Sequence, residues 1–289
     1  MNDIVYVNGD FMPANEAKVS IFDRGFLFGD GVYEVIPIIH GVLIDLEYFF
    51  QRIESSLKKL ELPWPLSQQD LLTTLHQLVS RNSLQEGFIY LQVTRGVAER
   101  DFPYPQNNKP TFIAFTSKKN ILENPLADTG VEVVTVEDLR WKRRDIKSLN
   151  LLAQCMAKQT ANSRGAYEGW MVEDGYVTEG VTSSAFIVIN SQLVTRPLSN
   201  SILPGIRRRV ILELAKERSI DVEERPFTVD EALTADEAFL SSATTLILPI
   251  RSIDGQKIGT HIPGPITRQV RELYLEAVLE TVSKNQGSS

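Results

Sequence analysis

"GWMVEDGYVTEG", residues 169–180, reads as two short alternating apolar runs on either side of Asp174-Gly175. An Asp-Gly pair between such runs is a strong short-range hairpin signal, because a tight turn there needs residues that tolerate positive φ. The pattern recurs along the chain. "IVYVNGDFM" (4–12) folds back at Asn8-Gly9, "YEVIPIIHGVLI" (33–44) at His40-Gly41, and "AFIVINSQLVTRP" (185–197) gives a further hairpin.

Helical periodicity lies between these hairpins. Phe49, Ile53, Leu57 and Leu60 recur at helical spacing in "EYFFQRIESSLKKL" (47–60), and a second amphipathic helix is predicted in "QDLLTTLHQLVSRN" (69–82). Two strands follow, "FIYLQVTRG" (88–96) and "TFIAFTS" (111–117). Farther on, the strand "VEVVTVEDLRW" (131–141) precedes a predicted helix in "LNLLAQCMAKQTANS" (149–163), and "LPGIRRRVILELAKERSI" (203–220) reads as a loop feeding a helix. Thr228 and Glu231 have the spacing of a capping box on a short helix, "AFLSSATTLILPI" (238–250) reads as strand, turn and strand, and residues 265–283 form a closing helix. Hairpins mixed with helices, without regular βαβ alternation, predict an α+β fold. The polar segment 118–130, with Pro125 and Gly130, breaks the periodicity. It divides the chain into a small N-terminal domain (1–118), a linker (119–130) and a larger C-terminal domain (131–289).

With 289 residues, 43% hydrophobic and 23% charged, the chain can bury a sizeable core. Its formal net charge of −7 argues against non-specific attraction to nucleic acid or an anionic membrane. One cysteine, Cys155, and three scattered histidines give neither a disulfide framework nor a metal-ligand cluster, so no metal is expected. The start "MNDIVYVNGD" lacks a basic, then apolar, signal pattern, and no run reaches membrane-spanning length. The expected compartment is the cytoplasm. "GDGVYE" holds Gly29 and Gly31 but no third glycine, and there is no Walker loop, H-E-x-x-H or G-x-S-x-G.

Lys147, in "DIKSLNLL", is either a surface lysine at a strand–helix junction or a partly desolvated amine able to attack a carbonyl. Glu179, at the end of the opening stretch, is either a solvated turn acid or the partner of a pyridine nitrogen. Thr182, Ser183 and Ser184 are short donors suited to a ring hydroxyl or a phosphate. "ILPGIRRRV" places Gly205 and Ile206 before a helix whose first N–H groups can bind an anion. The backbone of Ile206 and Arg207 is the candidate there, since the run Arg207–Arg209 reads as solvated helix surface. "SSATT" (241–245) offers a second phosphate contact. Arg52 lies at the edge of the apolar face of its helix and can turn inward to a phosphate, or pair with an acid such as Glu54.

Taken in order, "FDRGFLFGDGVYEV", "FFQRI", "VTRG", "DIKSLNLL", "VTEG" and "LPGIRR" resemble the fold-type IV pyridoxal-phosphate enzymes over nearly the whole chain. That family includes D-amino-acid aminotransferases, branched-chain aminotransferases and aminodeoxychorismate lyases. The likeness is strongest to the bacterial D-amino-acid aminotransferases, in "FGDGVYEV", "GFIYLQVTRG", "VEDLRWKRRDIKSLNLL" and "VTEG". The resemblance implies the two-domain fold of that family, pyridoxal 5'-phosphate as cofactor, a site between the two domains and a homodimer. By the same resemblance Lys147 is the Schiff-base lysine that shuttles the proton between substrate Cα and cofactor C4′. Glu179 holds the pyridine nitrogen, Arg52 the phosphate, and Leu203 packs on the ring. Ile206 and Arg207 give backbone phosphate contacts, with Ser242 and Ala243 at the other phosphate loop. Ala243 stands where the family often has a hydroxyl, so any contact there is through the backbone.

Tyr33 and Arg100 match two members of the α-carboxylate trap of the D-amino-acid enzymes. The third, a histidine, falls at Phe102, where this chain reads "RDF". Arg95 is a further arginine nearby, for which a structural ion pair is the simpler role. The activity implied is transamination between an amino acid, in first place a D-amino acid such as D-alanine, and a 2-oxo acid such as 2-oxoglutarate. The alternatives are aminodeoxychorismate lyase, then branched-chain or (R)-amine transamination. A cofactor-binding protein without activity is disfavoured by intact Lys147, Glu179 and Arg52.

Overall fold

The computed structural model describes residues 3–286. Contacts divide the chain into two units. The first holds the residues up to Ile121 together with Ile146–Asn150, and the second holds Leu122–Asp145 and Leu151–Lys284.

The first unit contains β1 (Ile4–Val7), β2 (Asp10–Pro13), α1 (Arg24–Phe28), β3 (Gly31–Ile39), β4 (Val42–Leu43), α2 (Leu46–Lys59), α3 (Gln68–Arg81), β5 (Glu86–Thr94) and β6 (Thr111–Lys118). Its sheet is antiparallel throughout, in the order β2-β1-β6-β5-β3-β4. Both expected hairpins are present, with Asn8 and His40 at positive φ in their turns. Period-two alternation gives the sheet two different faces. Ile89, Leu91 and Val93 of β5, with Ile36 and Ile38 of β3, are fully buried. Phe49, Ile53 and Leu57 of α2 and Leu71, Leu75 and Leu78 of α3 supply buried stripes at helical spacing. Tyr33, Tyr90, Gln92 and Phe115 occupy the half-buried opposite face.

The second unit contains α4 (Leu126–Thr129), β7 (Val131–Glu137), α5 (Leu152–Ser163), β8 (Glu168–Glu173), β9 (Tyr176–Gly180), β10 (Ser184–Ile189), β11 (Gln192–Thr195), α6 (Ile206–Glu217), β12 (Val222–Glu224), α7 (Val229–Leu233), β13 (Glu237–Ser242), β14 (Leu246–Ile253), β15 (Gln256–Lys257) and α8 (Pro265–Gln286). The sheet order is β12-β11-β10-β13-β14-β7-β8-β9, with β15 added to β14. The pairs β11–β12, β14–β7 and β7–β8 are parallel and the others antiparallel, giving a mixed sheet. Trp170, Phe227, Ile187, Leu240, Leu248 and Ile250 form its main core. The Asp174-Gly175 hairpin joins β8 to β9, and the Thr228–Glu231 capping box is complete.

The α+β reading holds, with boundaries moved, and the strand expected over 131–141 ends at Glu137. The helix expected from residue 149 begins at Leu152. The residues before it pair with β3 instead: Leu149 N–H donates to Gly31 O at 3.1 Å, and Val32 bridges Ser148. Among the described residues no helix is long and apolar enough to cross a membrane.

Candidate active site

Lys147 is positioned by backbone pairing in the first unit. Its carbonyl accepts from Tyr33 N–H at 3.0 Å, and its own N–H donates to Ser56 Oγ of α2 at 3.3 Å. Gly31 makes room for this approach, because a Cβ there would lie 2.5 Å from Val93 O and 2.8 Å from Leu149 Cδ1. The half-buried Lys147 side chain carries Nζ to 4.2 Å from the Tyr33 ring centroid. Among the described residues no hydrogen bond or ion pair engages that amine. Tyr33 stacks on Tyr90 at 5.6 Å, and Tyr90 on Phe115 at 4.9 Å. Burial, with the nearby Tyr33, pushes the Tyr90 hydroxyl up to about 12, so it remains a donor, here to Gln92 Oε1 at 3.0 Å.

Arg52 of α2 faces inward, and its carboxylate partner is Glu34 of β3. Nε donates to Oε1 at 2.8 Å and Nη2 to Oε2 at 2.6 Å, a fork-on-fork pair with Glu34 almost fully buried. The acid nearer in sequence, Glu54, is exposed. Arg95 has the structural role expected of it. It pairs with Asp30 at 2.8 Å, donates to the carbonyls of Leu60 and Glu61, and lies over the Tyr104 ring.

Arg100 and Phe102 sit on the loop after Arg95. Arg24 pairs with Asp30 and donates to the carbonyls of Asp101, Phe102 and Pro103, which pins the loop backbone. The Arg100 guanidinium lies 5.4 and 5.8 Å from the rings of Phe28 and Phe102, which pack against each other at 5.7 Å, while Phe102 is 76% exposed. Among the described residues no hydrogen bond, ion pair or ring contact joins Arg100 or Phe102 to Tyr33.

In the second unit Glu179 is the penultimate residue of β9 and a buried side chain, not a solvated turn acid. Its Oε1 accepts from Arg140 Nη1 at 2.5 Å and from Leu203 N–H at 3.0 Å, which ties Leu203 beside it. Burial pushes the Glu179 carboxyl above the usual carboxylate range, only partly opposed by Arg140 and the Leu203 amide, which pull it down. Arg140 also grips Asp138, through Nε at 2.9 Å and Nη2 at 2.7 Å. Burial would raise the Asp138 carboxyl, but Arg140, Thr178 and Arg144 hold it below the usual carboxylate range.

The two expected phosphate loops meet at Ser184. Gly205 is the N-cap of α6 and makes no side-chain cap bond, and a Cβ on it would lie 2.6 Å from Ser184 Oγ. Ser184 is the direct cross-strand partner of Ser241. Ser242 Oγ lies 2.8 Å from Thr245 Oγ1, and Ala243 occupies the turn between them. Ser241 Oγ is buried with no hydrogen-bond partner among the described residues. An orphaned hydroxyl beside an uncapped helix start suits a multiply accepting oxyanion.

Two readings from the sequence are corrected. Arg207 and Arg208 are buried, not solvated: Arg207 lies over Tyr274 of α8, and Arg208 donates to Arg196 O and pairs with Glu224. Their long stems pack while their charged heads find partners. Thr182 and Ser183 turn their hydroxyls to the buried Glu168, at 2.7 and 3.5 Å, and away from a ligand role. Glu34, Ser56, Asp138 and Arg140 were given no role from the sequence, whereas Ser241 opens the expected "SSATT" loop. The sole signal was the charge-dense "EDLRWKRRD", which by itself reads as solvated.

Comparison with known proteins fits this chemistry. Residues 31–253 match the family described as Amino-transferase class IV. The chain is 39% identical to D-alanine aminotransferase of Bacillus licheniformis, over 97% of this chain and 99% of that protein. It is 38% identical to the Staphylococcus haemolyticus enzyme of the same name, over 93% and 95%. Among solved structures, the branched-chain amino acid aminotransferase of the archaeon Thermoproteus uzoniensis with norvaline superposes with a TM-score of 0.88 at 26% identity, covering 98% of this chain and 96% of that one. The 4-amino-4-deoxychorismate lyase of Pseudomonas aeruginosa does so with a TM-score of 0.80 at 26% identity, covering 94% and 98%. A family match across most of the chain, with full-length relatives of one activity, identifies this protein as a pyridoxal-phosphate-dependent aminotransferase of class IV.

Proposed function

We propose that this enzyme transfers the amino group of a D-amino acid, such as D-alanine, to a 2-oxo acid such as 2-oxoglutarate. The observation that carries the reading is the 39% identity to a D-alanine aminotransferase along the full length of both chains. When bound, pyridoxal phosphate supplies a carbonyl that condenses with amino groups and a ring that accepts the electron pair released at the substrate Cα.

The residues present suit that group. Lys147 offers an amine without a competing ion pair, and we assign it the covalent attachment and the carriage of the proton between Cα and C4′. Glu179 has Oε1 saturated by protein donors, while among the described residues its Oε2 has no hydrogen-bond partner, as a ring-nitrogen contact requires. Leu203, tethered to the same carboxylate, would pack on the ring. Ile206 and Arg207 (through their backbone), Ser242, Ala243 and Arg52 would hold the phosphate. Tyr33 and Arg100 would bind the substrate carboxylate, with Phe102 adding apolar contact in place of a donor. By the same resemblance we propose a homodimer that works in the cytoplasm.

Phe102 and the likeness to the lyase favour one second reading, release of pyruvate from aminodeoxychorismate. Incubation with D-alanine and 2-oxoglutarate decides between them. Pyruvate and D-glutamate support the transaminase. Pyruvate formed from aminodeoxychorismate without an amino acceptor, and none from D-alanine, overturns it. Branched-chain L-amino acids and (R)-amines as donors complete the panel.

A further inference from the structure

We propose that Arg140 is a positioning residue that opposes protonation of the buried Glu179 and leaves its Oε2 as the oxygen that meets the cofactor ring nitrogen. The inference rests on the assignment of Glu179 made above. Its geometry lies wholly within the second unit.

All three charged groups of the core of this network are buried, with side-chain exposures of 6% for Arg140, 0% for Asp138 and 8% for Glu179. Arg140 uses one edge of its guanidinium on Asp138 and its remaining nitrogen, Nη1, on Glu179. Asp138 is itself held, by Thr178 Oγ1 at 2.6 Å and by Arg144 Nη1 at 3.3 Å, and Arg144 is anchored on Glu173 at 2.8 Å. The guanidinium therefore has no freedom to swing away. It donates one hydrogen bond to Glu179 Oε1, and the Leu203 N–H donates a second.

Two consequences follow for Glu179. A carboxylate this deeply buried takes up a proton unless a cation is held against it, and a neutral acid cannot balance a protonated ring nitrogen. Arg140 is that cation. The charges packed here are Asp138, Glu173 and Glu179 against Arg140 and Arg144, with the exposed Lys142 near Glu173. Among the described residues the oxygen left without a protein donor is Glu179 Oε2, and a ring N–H is the donor it would accept from. Lysine could not replace Arg140 fully, because an ammonium lacks the planar fork that grips Asp138 and Glu179 together.

The test compares Arg140→Gln, Arg140→Lys and Glu179→Gln as holoenzymes. Two quantities are read: the dissociation constant for pyridoxal phosphate, and the downfield proton resonance of the ring nitrogen. Arg140→Gln should weaken cofactor binding by roughly tenfold or more, the scale of one lost charge-assisted hydrogen bond. It should also move the ring-nitrogen resonance upfield as the proton shifts toward Glu179. Arg140→Lys should retain the resonance and still bind cofactor more weakly than the parent. If Glu179→Gln changes both readouts while Arg140→Gln changes neither, the role given to Arg140 is wrong and that of Glu179 stands. If Glu179→Gln itself changes neither, the reading of Glu179 fails first. Should Arg140→Gln not fold, Arg140→Lys decides, and an unchanged dissociation constant in a folded Arg140→Lys protein overturns the proposal.

Discussion

Lys147 and Tyr33 are joined twice: the Tyr33 N–H donates to the Lys147 carbonyl at 3.0 Å, and Nζ of the same lysine lies 4.2 Å from the Tyr33 ring centroid. A rigid β-strand residue thus fixes both the backbone and the amine of the lysine. Borohydride treatment of the holoenzyme should fix pyridoxal phosphate on the peptide containing Lys147, and Lys147→Ala should abolish the label. Tyr33→Phe keeps the ring and removes only the hydroxyl. It should leave the cofactor band intact while kcat/KM for D-alanine falls about tenfold or more, through KM. A lost band with an unchanged KM would contradict the carboxylate role of Tyr33.

Arg52 and Glu34 should separate stability from binding. Arg52→Leu strands a buried carboxylate and should lower apoenzyme stability by about 3 kcal/mol, along with cofactor affinity. The double variant Arg52→Leu/Glu34→Leu should regain much of the melting temperature, since both buried charges are gone, yet still bind pyridoxal phosphate weakly. Parental affinity in the double variant would remove Arg52 from the phosphate site.

Arg100 lies against aromatic rings and, among the described residues, has no hydrogen-bonding neighbour. Arg100→Ala should raise the substrate KM far more than it raises the cofactor dissociation constant. Phe102→His should increase kcat/KM for D-amino acids by roughly tenfold, because an imidazole restores a donor next to the guanidinium. Equal losses of substrate and cofactor binding in Arg100→Ala would count against the clamp.

Glu231 gives a pH-dependent stability term outside the candidate cofactor residues. The Thr228 N–H, then Arg225, hold its carboxyl below the usual range. A depressed folded-state value stabilises the fold above the unfolded value, about 4.3, and the gain disappears as pH falls through the folded value. Glu231→Ala should therefore cost about 1 kcal/mol at pH 7 and progressively less below pH 4. A difference that is constant from pH 7 to pH 3 would refute the charge contribution.

The hairpins were legible because their turns are chemically marked: Asn8-Gly9, His40-Gly41 and Asp174-Gly175 demand left-handed backbone, and the structure has it. The long amphipathic helices and the Thr228–Glu231 box were legible for the same local reason. What escaped was set by partners distant in sequence. The late start of α5 reflects pairing of Ser148 and Leu149 with β3, over a hundred residues earlier. Arg52 finds Glu34 across an adjacent strand, where proximity in sequence suggested Glu54. Arg207 and Arg208 are polar by composition and buried by the packing around α6. As for the candidate site, single residues such as Lys147 and Glu179 were ambiguous, and their roles came from the ordered motifs. The Asp138–Arg140–Glu179 network is visible only in three dimensions.

The pairing of residues 146–150 with the edge of β3 has a dynamic consequence. The amine belongs to a sheet ladder, so its placement shares the opening free energy of that ladder. Amide hydrogens at Tyr33 and Leu149 should exchange with solvent together and slowly, as one cooperative unit. Thermal fraying of the helix that begins at Leu152 would leave the lysine where it is, whereas breathing of β3 would release it.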